Sequence, residues 1–371
     1  MTTGDLTGVR PASRVARLEG LELLRGLAAL AVCLGHVRAL MLPPMRSAAY
    51  AGWERGLYFL TAQGEAAVWI FFVLSGYLVG GSVLRQTAGG AWSWSGYLLR
   101  RGTRLWVVLI PALLLTWLCD LALGGGPVVT AGAMNFPHPL PADAWTFLGN
   151  LFFLQDLVTP PFGSNLALWS LAYEAWLYLL CPLLLLAVGA RAWRERMVLA
   201  GSAGVILWLL GPRGRWLAVA WFIGALIAWL RPASGAAPAP GPRLLPWLGL
   251  AVALLAKPFV ASWLPFLAMP LVILGAGGVV WSEARRFGPL PGLATRAGEI
   301  SYTLYATHFP LAILAVGRLT GSFAFEPGPT RWCFVFGLTG GLVLFAQGWW
   351  WLFERRTDSL RRTLGRHLHL P

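Results

Sequence analysis

Apolar residues in this chain do not recur at the three-to-four-residue spacing of a surface helix. They come in long unbroken blocks, separated by short polar stretches that hold most of the charge. A block of about 20 apolar residues is long enough to cross about 30 Å of hydrocarbon as a helix. Ten blocks qualify, at approximately 21–42, 66–84, 104–123, 167–189, 197–211, 215–230, 244–256, 262–281, 298–319 and 332–353. The pattern predicts an all-α polytopic membrane protein of about ten transmembrane helices. It divides the chain into an N-terminal segment, 1–20, a transmembrane domain, 21–355, and a basic tail, 356–371.

Composition agrees with the pattern: 57% of the residues are hydrophobic and 12% are charged, against about 25% charged in a soluble domain. The net charge of +14 comes almost entirely from arginine. The basic residues are scattered through short loops, with no basic helix or recognition motif, so nucleic acid is not an expected partner and the lipid bilayer is. Placing the N-terminus in the cytoplasm puts 20 of the 29 basic residues in inner loops and 8 in outer ones, with Arg25 inside the first span. The positive-inside rule therefore predicts that both termini are cytoplasmic in the cell's inner (plasma) membrane. The longest loop, 124–166, then lies outside. It has no lysine or arginine but carries amides and aromatics, which suits a neutral polar ligand such as a sugar. The segment 232–243 reads as a Pro/Ala/Gly linker. The four cysteines have no metal-ligand or redox spacing, so no metal is expected and each reads as a small buried apolar residue.

Against this apolar background a few polar residues stand out. The first span, LRGLAALAVCLGHVRAL over 24–40, holds Arg25 and His36. Eleven positions separate them, which puts both on one face, about 16 Å apart along the axis. Arg25 lies near the cytoplasmic side, where an interfacial anchor would look the same, and His36 lies in the outer half. Ser75 and Gly76 sit inside WIFFVLSGYLVGG, 69–81, as small residues that let helices approach. Arg100, Arg101 and Arg104 cluster at the inner end of the third span. Loop charge alone would explain them, and so would an anion cradle for a phosphorylated donor. Glu174 is the lone acid of LWSLAYEAWLYLLCP, 168–182, expected in the outer half. His308 lies near mid-membrane in EISYTLYATHFPLAI, 299–313. Ionisable groups inside a membrane are costly and mark sites or ion pathways. Three helices thus bring titratable groups to similar depth above an arginine cluster, as an acid/base site above an anion site would. A proton-coupled transporter would bury the same residue types, although no internal repeat relates the two halves.

These pieces together resemble the acyltransferase 3 family of integral-membrane O-acyltransferases. The resemblance rests on Arg25 with His36, FFVLSGYL, the RGTR run of Arg101 to Arg104, LWSLAYE with Tyr178, ISYTLYATHFP, and the FER run at Phe353 to Arg355. All occur in the family's order from 21 to 355. The chain departs from it at Ala175, where many members have a second glutamate, at Trp69, where many have an aspartate, and at Arg356, where proline is common. The first two point to a different subfamily and leave the acceptor open. The resemblance implies about ten spans and transfer of an acyl group, commonly acetyl from acetyl-CoA or another acyl-CoA, to a hydroxyl of a carbohydrate or other extracytoplasmic acceptor. It also implies partner proteins of a glycan-assembly pathway. Within that chemistry, histidine suits the general base, so His36 is the expected base. Glu174 orients an imidazole or binds the acceptor, His308 shares acid/base work or lines the acceptor channel, and Arg25, Arg101 and Arg104 hold the cofactor's phosphates.

Overall fold

The computed structural model describes residues 19–46, 48–124, 130–131, 134–135, 141–230, 244–263, 265–283, 292–320 and 326–368. The N-terminal segment 1–20, except for its last two residues, and the linker 232–243 lie outside the described residues. The helices are α1 (Glu19–Met41), α2 (Gly52–Thr61), α3 (Gly64–Ser75), which continues through a π-helical turn, Gly76–Gly80, into α4 (Gly81–Ala88), and α5 (Trp94–Ala122). After a two-residue antiparallel pair, β1 (Thr130–Ala131) with β2 (Met134–Asn135), come α6 (Ala144–Leu151), α7 (Trp169–Gly189), α8 (Trp193–Leu209) and α9 (Gly211–Leu230). The chain then forms α10 (Leu244–Trp263), α11 (Pro265–Glu283), α12 (Leu293–Thr320), α13 (Pro329–Leu352) and α14 (Thr357–His367).

The protein is an all-α polytopic membrane protein. Seven helical stretches among the described residues are long and apolar enough to cross a membrane: Gly20–Met41, Gly52–Ala88, Trp94–Ala122, Leu166–Gly189, Gly211–Leu230, Leu293–Leu319 and Pro329–His367. The other three expected spans are helices too: α8 has 17 residues, α10 has 20 and α11 has 19, the described apolar parts of the last two being Leu244–Pro258 and Leu267–Glu283. Large apolar side chains project outward from the bundle, among them Val188, Trp208 and Leu344 at 82%, 77% and 75% exposed. An apolar outer surface costs nothing where the surrounding solvent is hydrocarbon.

Contacts at matched ends fix the direction of each helix. Arg25 bonds the Gly298 carbonyl and, farther along, His36 meets His308, so α1 and α12 run parallel. The Tyr302 hydroxyl bonds the Leu105 carbonyl and Arg318 bonds that of Ala122, so α5 and α12 also run parallel. Trp247 at the start of α10 reaches Glu283 at the end of α11, which makes those two antiparallel. With α1 and α12 parallel, an odd number of passes must separate them. If each of the four qualifying stretches in between makes one pass, α8, α10 and α11 supply an odd number more.

Two expectations change. Helix α5 starts at Trp94, ten residues before the expected span, because the Ser93 hydroxyl accepts the Gly96 N–H and caps it. Arg100, Arg101 and Arg104 therefore project from a formed helix. Within the long loop, 124–166, the described residues include the helix α6. Asp143 caps α6 by accepting the Thr146 N–H at 2.7 Å, a bond that holds this exposed carboxyl below its usual pKa. Finally, Cys33, Cys119 and Cys181 are buried as expected, but Cys333 is exposed.

The small residues of the second span do pack helices. A methyl group on Gly76 would overlap the Trp221 backbone, and one on Gly224 would overlap the Val73 carbonyl, so the π-helical turn and α9 touch backbone to backbone. The Trp221 indole N–H donates to the Ser75 hydroxyl at 3.2 Å across the same crossing. Gly76→Ala is expected to cost about 1–3 kcal/mol of stability through overpacking, read as a lower thermal midpoint of the purified protein. An unchanged midpoint would contradict the close crossing.

Candidate active site

A cavity of about 170 Å³ lies between α1, the α3–α4 stretch, α5, α7 and α12. Arg25, Arg101, Arg104 and Glu174 all line it, together with Tyr178, Tyr302 and Tyr305. Four of the six residues singled out in the sequence therefore share one chamber. The remaining two, His36 and His308, form a separate pair, with His36 Nδ1 2.8 Å from His308 Nε2.

Each arginine is held differently. Arg25 donates from Nε and Nη2 to the Gly298 carbonyl, at 3.0 and 2.6 Å, and pairs with Glu22 at 2.6 Å. It is thus a cavity residue bound to α12 rather than a free interfacial anchor. Arg104 pairs with Glu354 Oε1 at 2.5 Å, while the other Glu354 oxygen accepts the Thr303 hydroxyl at 2.5 Å. Arg101 sits 5.5 and 5.7 Å from the ring centres of Tyr97 and Tyr178. Among the described residues no carboxylate lies within ion-pair distance of it, and its buried Nε has no hydrogen-bond partner. Of the three, Arg101 is the one with positive charge and donors left for a ligand. Arg–carboxylate pairing has already taken up most of what Arg25 and Arg104 offer an anion.

Glu174 does not meet either histidine. Its Oε1 accepts the Tyr178 hydroxyl at 2.6 Å, one turn along α7. The expectation that Glu174 stands level with His36 and orients an imidazole is corrected: it belongs with the arginines. The Tyr97 hydroxyl of α5 bonds the Tyr178 carbonyl of α7 at 2.8 Å, which ties the two helices together where Glu174 faces the arginine chamber.

Tyr305 stands between chamber and histidine pair. Its hydroxyl is tied to Ser170 at 2.5 Å and to the Ala167 carbonyl at 2.7 Å, and its ring centre is 6.1 Å from that of His308. Pro310 has no N–H to give the Ala306 carbonyl one turn back. Asn165 supplies the missing donor at 2.9 Å, which fastens the long loop to α12 beside His308. Two contributors were quoted in the sequence only as parts of motifs, with no role assigned. Tyr178 had a signal, since it lies four residues after Glu174 and so on the same helix face. Glu354 was quoted only within the FER run. An acid immediately after a tryptophan-rich span was its signal.

The sequence pattern of a known family, described as an acyltransferase domain, matches residues 18–348 of the 371. The chain belongs to the acyltransferase 3 family. This acyltransferase is therefore an enzyme. The matched stretch holds the whole chamber and the histidine pair of the acyltransferase, but not Glu354. No curated protein and no solved structure matches the chain.

Proposed function

We propose that this membrane acyltransferase moves an acyl group, commonly acetyl, from acyl-CoA to a hydroxyl of a carbohydrate or other extracytoplasmic acceptor, working beside partner proteins of a glycan-assembly pathway. In this reading the chain makes ten passes of the inner (plasma) membrane with both termini cytoplasmic. The observation that carries it is an arginine-lined chamber on one side of a hydrogen-bonded histidine pair, His308 buried and His36 half-buried, with Arg25 and His36 on a single helix about 16 Å apart. Arg101 takes a phosphate of the donor, with Arg25 and Arg104 as the fixed positive wall behind it. The long pantetheine arm spans the distance to His36.

The reaction balances without a metal or redox partner. His36 removes the acceptor's hydroxyl proton as the oxygen attacks the thioester carbonyl. The C–O bond forms, the C–S bond breaks, and the proton passes to the departing sulfur. The products are the ester and the free thiol. Histidine suits this work because its ordinary pKa is near neutrality. Glu174 and Tyr178 form the polar wall facing Arg101.

Mass spectrometry of surface glycans and secreted small molecules, from cells with and without the protein, tests the reading. A mass difference of one acyl group on a hydroxyl-bearing product is expected. Identical profiles, together with no acyl-CoA consumption by the reconstituted protein, would overturn it.

A further inference from the structure

The hydrogen bonds around His308 determine where the protons of the histidine pair sit. His308 Nδ1 lies 2.9 Å from two carbonyl oxygens of its own helix, those of Leu304 and Tyr305. Carbonyl oxygens only accept, so that nitrogen carries a hydrogen. A neutral imidazole has one N–H, which leaves His308 Nε2 as an acceptor. The atom facing it at 2.8 Å is His36 Nδ1, which must therefore be the donor. By the same count a neutral His36 has its lone pair on Nε2.

We propose that His308 is a positioning residue, which holds the Nδ1 hydrogen of His36 and so leaves His36 Nε2 as the basic nitrogen that takes the acceptor's proton. The inference deepens the proposed function and rests on its assignment of His36 as the base. The arrangement is a relay in which backbone carbonyls do the work that a carboxylate does in a Ser-His-Asp triad. The geometry is tightly held. The two rings lie within 3° of parallel, Phe309 packs its ring against His36 at 4.8 Å between centres, and His308 is 1% exposed. The register of α1 against α12 is in turn set by the bonds from Arg25 to the Gly298 carbonyl. When His36 takes up a proton at Nε2 its Nδ1 hydrogen stays on the line to His308, so the ring cannot turn while it is charged. His308 thus acts through His36 and need not touch substrate.

Nitrogen-15 NMR of the full chain in nanodiscs, labelled at histidine and free of substrate, tests this directly. The His36 signals are assigned by their loss in His36→Gln. The expected result is a protonated Nδ1 and a bare Nε2 on His36. In His308→Leu, which removes the acceptor, the two tautomers of His36 should mix. In His308→Gln, whose amide oxygen can stand near the place of Nε2, the original tautomer should persist. Transfer should fall roughly 10–100-fold in His308→Leu, within the range of general-base effects, and recover substantially in His308→Gln. A wild-type His36 protonated on Nε2 overturns the proposal, and so does a tautomer unchanged by His308→Leu. If the leucine variant fails to fold, the wild-type spectrum still decides. If the tautomer is as stated but His36→Ala keeps full activity, the relay stands and the assignment of His36 as base falls.

Discussion

Replacing His36 with alanine is expected to reduce acyl transfer by about 10²–10⁴-fold, the usual contribution of a general base, while the protein still folds and still binds its donor. His36 sits on α1, beyond the chamber, and its nearest polar partner is His308. Removing the ring takes away the group that accepts the hydroxyl proton. It leaves the arginine chamber untouched, since Arg25 is held by α12 and Arg101 and Arg104 belong to α5. The check measures single-turnover transfer from labelled acyl-CoA alongside donor affinity for the same purified variant. Lost transfer with unchanged donor affinity is the expected pair of results. Full activity in a folded His36→Ala protein would remove the base from the mechanism.

Arg101→Ala and Arg104→Ala are expected to fail in different ways, although the sequence presents them as equals. Among the described residues Arg101 has no acid partner within ion-pair distance, so its removal should weaken donor binding and little else. A lost charge-assisted contact of about 1.5–3 kcal/mol corresponds to a KM for acyl-CoA about 10–100-fold higher. Arg104 is the partner of Glu354, whose side chain is 1% exposed against 37% for Arg104. Its removal leaves a buried carboxylate with only the Thr303 hydroxyl, so it should cost stability, about 1.5–3 kcal/mol, before it costs affinity. Thermal midpoints and donor affinities of the two variants, measured side by side, separate these effects. Equal losses of affinity at unchanged stability would show that the two arginines bind the donor together and that the Glu354 pair is incidental.

The contrast between these arginines shows where the sequence stops being legible. Long apolar blocks were enough to place helices, because a span must satisfy its own backbone wherever it lies. Isolated polar residues within them were enough to nominate a site, because burying each one needs a reason. Both inferences use local cost, which one segment carries by itself. Depth was less secure. Counting residues from a span's entry put Glu174 with the histidines, whereas the structure places it in the cavity lined by the arginines. The count assumes that helices start level and stand upright, and the early start of α5 at Trp94 already breaks that assumption.

By itself, then, the sequence determined the all-helical membrane class, the spans that are unambiguously long, and the six residues His36, Glu174, His308, Arg25, Arg101 and Arg104 as the ones to explain. Arg25 and His36 share a helix, so their common face followed from helical geometry alone. The tertiary structure alone decided which residues meet. His36 and His308 lie 272 positions apart and become partners only because α1 and α12 pack in parallel at one register. Glu354 meets Arg104 across 250 positions in the same way. Such pairings depend on helix direction, register and tilt, which arise from packing between segments and leave no periodic trace in either one.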